Sequence, residues 1–150
     1  LNYPLGIRMQ ILTHRLQAES YLNPGVSTLA GKNLERLSSK YKARLRMDFT
    51  ADPIVLASAY YALAYSYFLQ GSMPPALKNI DAAIHWDYLY ENFPGLGYAY
   101  WLKGQILAKQ GDKPQAISNL YMAKDIFESF ANAPMVEKTR LLISTLEVKP

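Results

Sequence analysis

Apolar side chains recur every three or four residues along most of the chain, and no segment alternates steadily between apolar and polar positions. Spacing by three and four places side chains on one face of an α-helix, whereas alternation is typical of a half-buried strand. The first series contains Leu5, Met9, Leu12 and Leu16 and stops at an Asn-Pro-Gly sequence at residues 23–25. The pattern therefore predicts an all-α protein.

Glycine and proline divide the rest of the chain into six further predicted helices. They run from about 27 to 47, from Pro53 towards Gly71, from Pro74 to about Tyr90, on either side of Gly111, and from Pro134 onward. We interpret Phe93-Pro94-Gly95 as the end of the fourth helix and Gly95-Leu96-Gly97 as a turn between helices. Seven helices joined by short loops are typical of an array of antiparallel pairs.

An internal repeat supports this arrangement. When the sequence is shifted by forty residues, eight identities appear within residues 59–84, where unrelated sequences would give about one or two. The identical pairs are Ala59 and Ala99, Tyr60 and Tyr100, Gln70 and Gln110, Gly71 and Gly111, Pro74 and Pro114, Ala76 and Ala116, Asn79 and Asn119, and Ala83 and Ala123.

The shared residues have a mechanical interpretation. Gly71 and Gly111 can adopt the positive φ of a tight turn, and a proline three residues later fits the first turn of the next helix. Ala76 and Ala83 are two helical turns apart on one face, as are their counterparts in the second copy, so the paired helix can approach closely. One such pair cannot bury both of its faces, whereas stacked pairs can.

On these residues the sequence resembles the tetratricopeptide repeat family in a long, forty-residue form. The family period is 34 residues, and its closing proline is replaced by Tyr88 and Glu128, so we expect a longer second helix in each pair. Lys103 stands where the family has an apolar residue. The matching residues are Tyr60, Leu63, Ala64, Tyr67, Ala76 and Ile80 in the first copy and Tyr100, Gly104, Leu107, Ala116 and Leu120 in the second.

The resemblance implies a single domain folded as an α-α superhelix of antiparallel helix pairs. We assign repeats to 57–96 and 97–133 and a capping helix to 134–148, although this helix could also begin a third repeat. Residues 1–50 form an N-terminal helix pair that matches the repeat only at Gly31 and Ala43. Whether that pair is a degenerate repeat stays open.

Aromatic residues provide the strongest functional signal. Twelve of the nineteen aromatic residues lie between Tyr60 and Trp101. In the family that the sequence resembles, the first helix of each pair lines a concave groove. Carried onto this chain, that groove contains Tyr61, Tyr65, Phe68, Trp101, Gln105 and Ala108, flanked by Ser58, Leu69, Tyr98 and Lys109. We expect this groove to be aromatic, mostly uncharged, and suited to a peptide or partner helix with apolar anchors.

Two other interpretations of these aromatic residues stay open. They could pack against a neighbouring helix, or against the same surface of a second copy of the chain. One family specialisation is argued against, because members that hold a C-terminal carboxylate use Lys and Asn where this chain has Tyr61 and Tyr65.

The excess of positive over negative charge is confined to the second predicted helix. Six basic residues oppose Glu35 there, which leaves 10 of the 16 basic and 11 of the 12 acidic residues elsewhere. We favour a solvated face or a docking surface for an acidic partner over nucleic acid, since only Tyr41 is interleaved for base stacking. This basic patch consists of Lys32, Arg36, Lys40, Lys42, Arg44 and Arg46.

Catalytic and metal chemistry find little support in the sequence. There is no cysteine, phosphate loop, nucleophile elbow or dinucleotide fingerprint. His14 and His85 are expected on outer helix faces, and Asp81 with His85 has a metal-ligand spacing that lacks a clear third ligand, with Asp87 the nearest candidate. We therefore predict no enzyme activity, no cofactor and no metal.

The function that we predict is protein-protein interaction through the aromatic groove. The alternative is a ligand-sensing or oligomerisation effector domain, because repeats of about forty residues also resemble those of bacterial transcription regulators. The chain begins at Leu1 without a leader-like segment, so we interpret it as a piece of a longer chain. No apolar run is long enough for a membrane span, and we expect a cytoplasmic location.

Overall fold

The computed structural model describes residues 3–26, 28–47 and 51–148, and these residues form seven α-helices and no strand. Consecutive helices pack against each other as adjacent pairs. The predicted all-α helical-repeat fold is therefore confirmed. The helices are α1 (Leu5–Leu22), α2 (Leu29–Leu45), α3 (Pro53–Leu69), α4 (Met73–Leu89), α5 (Phe93–Gln110), α6 (Lys113–Ser129) and α7 (Ala133–Glu147).

Most helices begin where the sequence supplies a cap or a proline. The side chains of Thr28, Asp52, Asp112 and Asn132 each accept a hydrogen bond from a backbone N–H in the first turn of α2, α3, α6 and α7. Such caps satisfy donors that the helix itself leaves unpaired. Each helix from α3 to α7 also carries proline in its first turn, where the missing N–H has no intrahelical partner to lose.

The prediction for residues 93–97 is wrong. Phe93-Pro94-Gly95 begins α5 rather than ending α4, and Gly97 lies inside α5. The chain reverses earlier, at residues 90–92, where Glu91 adopts a φ of 55° without being glycine. Gly97 lies in close packing with α6, since a Cβ there would lie 3.0 Å from the ring of Phe127 and the ring would have to shift.

The forty-residue period is visible in the backbone itself. Positive φ occurs at Gly71 and Gly111, and again at Glu91 and Ala131, which are forty residues apart. Each of the four turns is closed by one backbone hydrogen bond. The N–H of the residue after the one with positive φ donates to a carbonyl five residues earlier. These bonds join Ser72 N to Tyr67 O (2.9 Å), Asn92 N to Asp87 O (2.8 Å), Asp112 N to Leu107 O (3.0 Å) and Asn132 N to Phe127 O (2.9 Å).

Small residues hold the paired helices close together, as predicted. Ala76, Ala83, Ala116 and Ala123 are fully buried. At Gly104 on α5, an added Cβ would lie 2.6 Å from the Leu120 side chain on α6. The backbone of α5 at Gly104 therefore packs directly against the side chain of Leu120.

The N-terminal pair follows a different register. Gly31 lies inside α2, whereas the glycine with positive φ in the first turn is Gly25, at 89°. Ala43 is exposed, although Ala83, its counterpart forty residues on, is fully buried. The two matches in residues 1–50 therefore do not mark the structural repeat, because the loop between α1 and α2 is longer than the later turns.

Candidate functional site

A cavity of about 360 Å³ lies where the beginnings of α3 and α5 meet the end of α4 and the middle of α1. We call it the Asp87 cavity. Helices α3 and α5 are the first helices of successive pairs, and Ser58 and Tyr98 occupy equivalent positions on them, forty residues apart. The lining residues are Gln17, Ala57, Ser58, Tyr61, Asp87, Asn92, Gly95 and Tyr98.

Tyrosine side chains form one wall of this cavity. Tyr61 lies one helical turn after Ser58 and is partly buried against the core between α3, α4 and α5. Burial, together with the neighbouring Tyr65 and Tyr98, raises the pKa of Tyr61 to about 12. This phenol therefore stays neutral at physiological pH and can act as a hydrogen-bonding group or as an aromatic face.

Asp87 supplies the charged group of the cavity. Its residue is only 4% exposed, and its Oδ1 accepts a hydrogen bond of 2.7 Å from Asn92 Nδ2. Among the described residues, Oδ2 has no hydrogen-bond partner. Burial raises the pKa of Asp87 to about 6, because desolvation of the carboxylate outweighs the opposing effect of the Asn92 hydrogen bond.

The internal repeat explains why a cavity exists here. Forty residues after Asp87 and Gly95, the chain has Phe127 and Met135, which pack together in the core formed with Ala123. The same two positions are therefore filled by large apolar side chains in one copy and by a carboxylate and a glycine in the other. A Cβ at Gly95 would lie 2.8 Å from both Asp87 carboxylate oxygens and closer still to Asn92 Nδ2, so the glycine leaves the room that the Asn92–Asp87 pair occupies.

The structure brings together three of the residues predicted to line the groove. Ser58, Tyr61 and Tyr98 line the Asp87 cavity. Ser58 is exposed, and Tyr98 is 39% exposed while its ring makes an edge contact with Phe127 at 5.1 Å between centroids. The charged Asp87 at this site differs from the mostly uncharged groove that the sequence predicts.

The other predicted groove residues lie elsewhere on α3 and α5. Phe68 is buried, and the Nζ of Lys109 lies 4.6 Å from the centre of its ring. Tyr65 and Leu69 pack against the core between α3, α4 and α5. Gln105 and Ala108 are partly buried on α5, where the Gln105 side chain donates a long hydrogen bond of 3.5 Å to a backbone carbonyl of the same helix.

Trp101 is partly buried and takes part in core packing. It packs against the core of Ala123, Phe127 and Met135, and its indole nitrogen is buried without a hydrogen-bond partner among the described residues. Packing against a neighbouring helix, one of the interpretations left open above, therefore describes much of the Trp101 side chain.

Two further cavities continue the Asp87 cavity along α1 and α3. The first, of about 210 Å³, shares Gln17 and Ser58 with the Asp87 cavity. The second, of about 250 Å³, shares Gln10, Asp52 and Val55 with the first. The shared linings place the three cavities next to one another over the first helices of the pairs, and we refer to them together as the α1–α3–α5 groove.

The basic residues and histidines lie mostly outside this groove. All six basic-patch residues are exposed on or just after α2, and of these Arg44 lines the far end of the groove. His14 is exposed on α1 and lines the middle cavity. His85 is exposed on α4, and Asp81 forms an ion pair of 2.8 Å with Lys103. Within the described residues, no three His, Asp or Glu side chains are grouped closely enough to hold a metal.

Neither the family models nor the curated proteins compared with this chain give a match. In the described ranges, none of the helices has the length and apolar character needed to cross a membrane.

Four lining residues, Gln17, Ala57, Asn92 and Gly95, are missing from the predicted groove, and Asp87 enters the sequence analysis only as a possible metal ligand. A signal for two of them was present in the repeat alignment. An acidic residue and a glycine stand at positions where the other copy has phenylalanine and methionine, and an exchange of that kind within a repeat indicates a local departure from simple packing.

Proposed function

We propose that this domain is a tetratricopeptide-like interaction module that binds a peptide or partner helix in the α1–α3–α5 groove. The observation that carries the proposal is the run of three cavities with shared linings, which offers one extended surface rather than an isolated pit. Tyr61 and Tyr98 supply aromatic contact area with few rotatable bonds to immobilise, as in the central anchors of protein interfaces. Helical repeats commonly use such extended surfaces for binding.

The test compares two tyrosines of similar exposure on different sides of the molecule. Tyr98 lines the groove and is 39% exposed, whereas Tyr121 on α6 is 44% exposed and hydrogen-bonds Glu147. Peptides selected from a random display library on the wild-type protein would be measured against Tyr98→Ala and Tyr121→Ala by fluorescence anisotropy. We expect Tyr98→Ala to weaken binding by about 2 kcal/mol and Tyr121→Ala to leave it unchanged.

Thermal melts of both variants separate a binding loss from a folding loss, because Tyr98 also contacts Phe127. Equal affinity of wild type and Tyr98→Ala for every selected peptide would refute the groove proposal. A loss that is the same in both variants would refute it as well.

A small-molecule effector domain is the second candidate, and the Asp87 cavity is the observation that favours it. Its volume of about 360 Å³ falls within the range of small-ligand sites, and a few convergent polar groups among apolar surface are typical of them. A ligand confined to this cavity would be insensitive to Gln10→Ala, an exposed residue that lines the other two cavities, whereas an extended peptide would lose affinity with that variant.

A further inference from the structure

We propose that the Asp87 cavity is a binding site for a protonated amine, with the ammonium group of the ligand against Asp87 Oδ2 and its carbon stem beside Tyr61 and Tyr98. The proposal rests on the proposed binding groove, since these tyrosines belong to both. In a peptide ligand the amine is a lysine side chain, and in a small ligand it is a free alkylamine.

The first argument is the state of the carboxylate. Asp87 is only 4% exposed, and within the part of the chain that the structure describes only its Oδ1 has a partner, Asn92 Nδ2, whereas Oδ2 is not sealed from solvent and can meet a ligand in the cavity. Buried charges are normally paired, and an unpaired one destabilises the folded protein. A group that lowers stability and faces a cavity is typical of a binding site, where the missing partner arrives with the ligand.

The second argument is the internal comparison within the chain. The pair Phe127 and Met135 shows that the fold accommodates a dry apolar contact at these positions. Asp87 and Gly95 replace that contact with a carboxylate and free space. Packing of the helix pairs therefore does not require a carboxylate and a glycine at these positions. The exchange instead creates a negatively charged cavity bounded by aromatic residues.

The third argument selects an ammonium group over other cations. A metal ion would need three or more ligands, and the described residues offer one carboxylate here. A guanidinium group is best held by both oxygens of a carboxylate in a forked pair, and the Asn92 hydrogen bond takes one of the acceptor positions on Oδ1 and so makes that pairing less favourable. An ammonium is a compact charge that one oxygen can accept, and aromatic rings attract it in addition.

The binding test uses charged probes and their neutral analogues. Wild-type protein would be titrated at pH 7.5 with two pairs of probes, and affinity would be measured from NMR chemical shifts. The first pair is 2-phenylethylammonium and the neutral 2-phenylethanol. The second pair is Nα-acetyl-lysine N-methylamide, whose side-chain ammonium is free, and the neutral Nα-acetyl-norleucine N-methylamide. We expect at least a tenfold preference for a charged probe over its neutral analogue. A preference only within the first pair of probes indicates a small amine, and one within the second pair indicates a peptide lysine. No preference within either pair would overturn the proposal.

Two variants locate the preference in the cavity. Asp87→Asn keeps the shape of the side chain and an acceptor for Asn92 but removes the charge, so it should bring the preference for the charged probe to about one. Gly95→Ala should also reduce the preference, because its Cβ would displace the Asn92 side chain and would fall 2.8 Å from both carboxylate oxygens. Asp125→Asn on the exposed face of α6 removes the same charge and should keep the wild-type preference. A preference retained in Asp87→Asn would overturn the proposal.

A measurement on the wild type alone keeps the proposal testable if a variant does not fold. The ¹³C shift of the Asp87 carboxyl group reports its titration. Bound 2-phenylethylammonium or Nα-acetyl-lysine N-methylamide should lower the pKa of this carboxyl group. The other titratable lining residues are Tyr61 on α3 and Tyr98 on α5, and α1 contributes the uncharged Gln17. An unchanged carboxyl titration at saturating probe would contradict the proposal. Peptide binding that depends on Tyr98 but not on Asp87 would refute the ammonium site and leave the groove proposal standing.

Discussion

Replacing Asp87 by Asn should stabilise the unliganded protein at neutral pH, with an effect that disappears in acid. The pKa of Asp87 rises from 3.8 to about 6 on folding because its carboxylate is desolvated. Well below pH 3.8 the group is protonated in both the folded and the unfolded chain and has little effect. As the pH rises from about 4 to 6, the unfolded chain ionises first, and the wild type loses stability relative to the variant.

The size of the effect follows from the same two values. The difference between a pKa of 3.8 and one of about 6 corresponds to about 3 kcal/mol. The cavity is partly open to water, which screens the charge and reduces this figure. We therefore expect Asp87→Asn to be more stable than wild type by about 1–3 kcal/mol above pH 6.5, and by about zero near pH 3.5.

Urea denaturation monitored by circular dichroism at several pH values from 3.5 to 8 measures this difference directly. The comparison must be between variant and wild type at each pH, because the Glu19 and Glu137 carboxyl groups, whose pKa values are lowered by Arg15 and Arg140, add a pH dependence of opposite sign. Asp125→Asn is the control and should show no such difference. If Asp87→Asn is destabilising at pH 7.5, Asp87 is a structural anchor and the argument from an unpaired carboxylate is refuted.

Three further predictions concern the repeat. Ala123→Leu should destabilise the protein by about 1–3 kcal/mol in denaturant melts, because the site is fully buried. Ala18→Leu on the exposed face of α1 is the control and should leave stability unchanged. If Ala123→Leu is as stable as this control, the close packing of small residues between paired helices is refuted. Ala131→Gly should stabilise by about 0.5–1 kcal/mol, since its φ of 53° strains a residue with a Cβ, and Ala18→Gly within a helix should destabilise by a similar amount; a destabilising Ala131→Gly would contradict the turn geometry. Deleting residues 134–150 should uncover Phe127 and cause self-association in sedimentation experiments, whereas a monomer with an unchanged melting temperature would show that α7 is not a cap.

The sequence alone was sufficient for the helical class, for the two turns that contain Gly71 and Gly111, and for the repeat. These features depend on local information, since a helix face is written in spacings of three and four residues and a turn in glycine, proline and capping side chains. Asp52 and Asp112 cap the helices that they precede, and Gly71 and Gly111 adopt positive φ. Where a turn lacks glycine, as at Glu91, the local signal is absent, and the start of α5 was misplaced for that reason.

The tertiary structure alone decided which polar positions meet. Asp87 lies at the end of one helix, and Gln17 is seventy residues away on another; nothing local to either residue indicates that they share a cavity. Trp101 likewise looks like a groove residue by its position in the repeat, yet it packs on the core beneath α7. Helical periodicity specifies a face, but the depth of burial on that face depends on the size of the side chains that the neighbouring helix presents. A single glycine at position 95 therefore leaves a cavity where methionine, in the next repeat, fills the core.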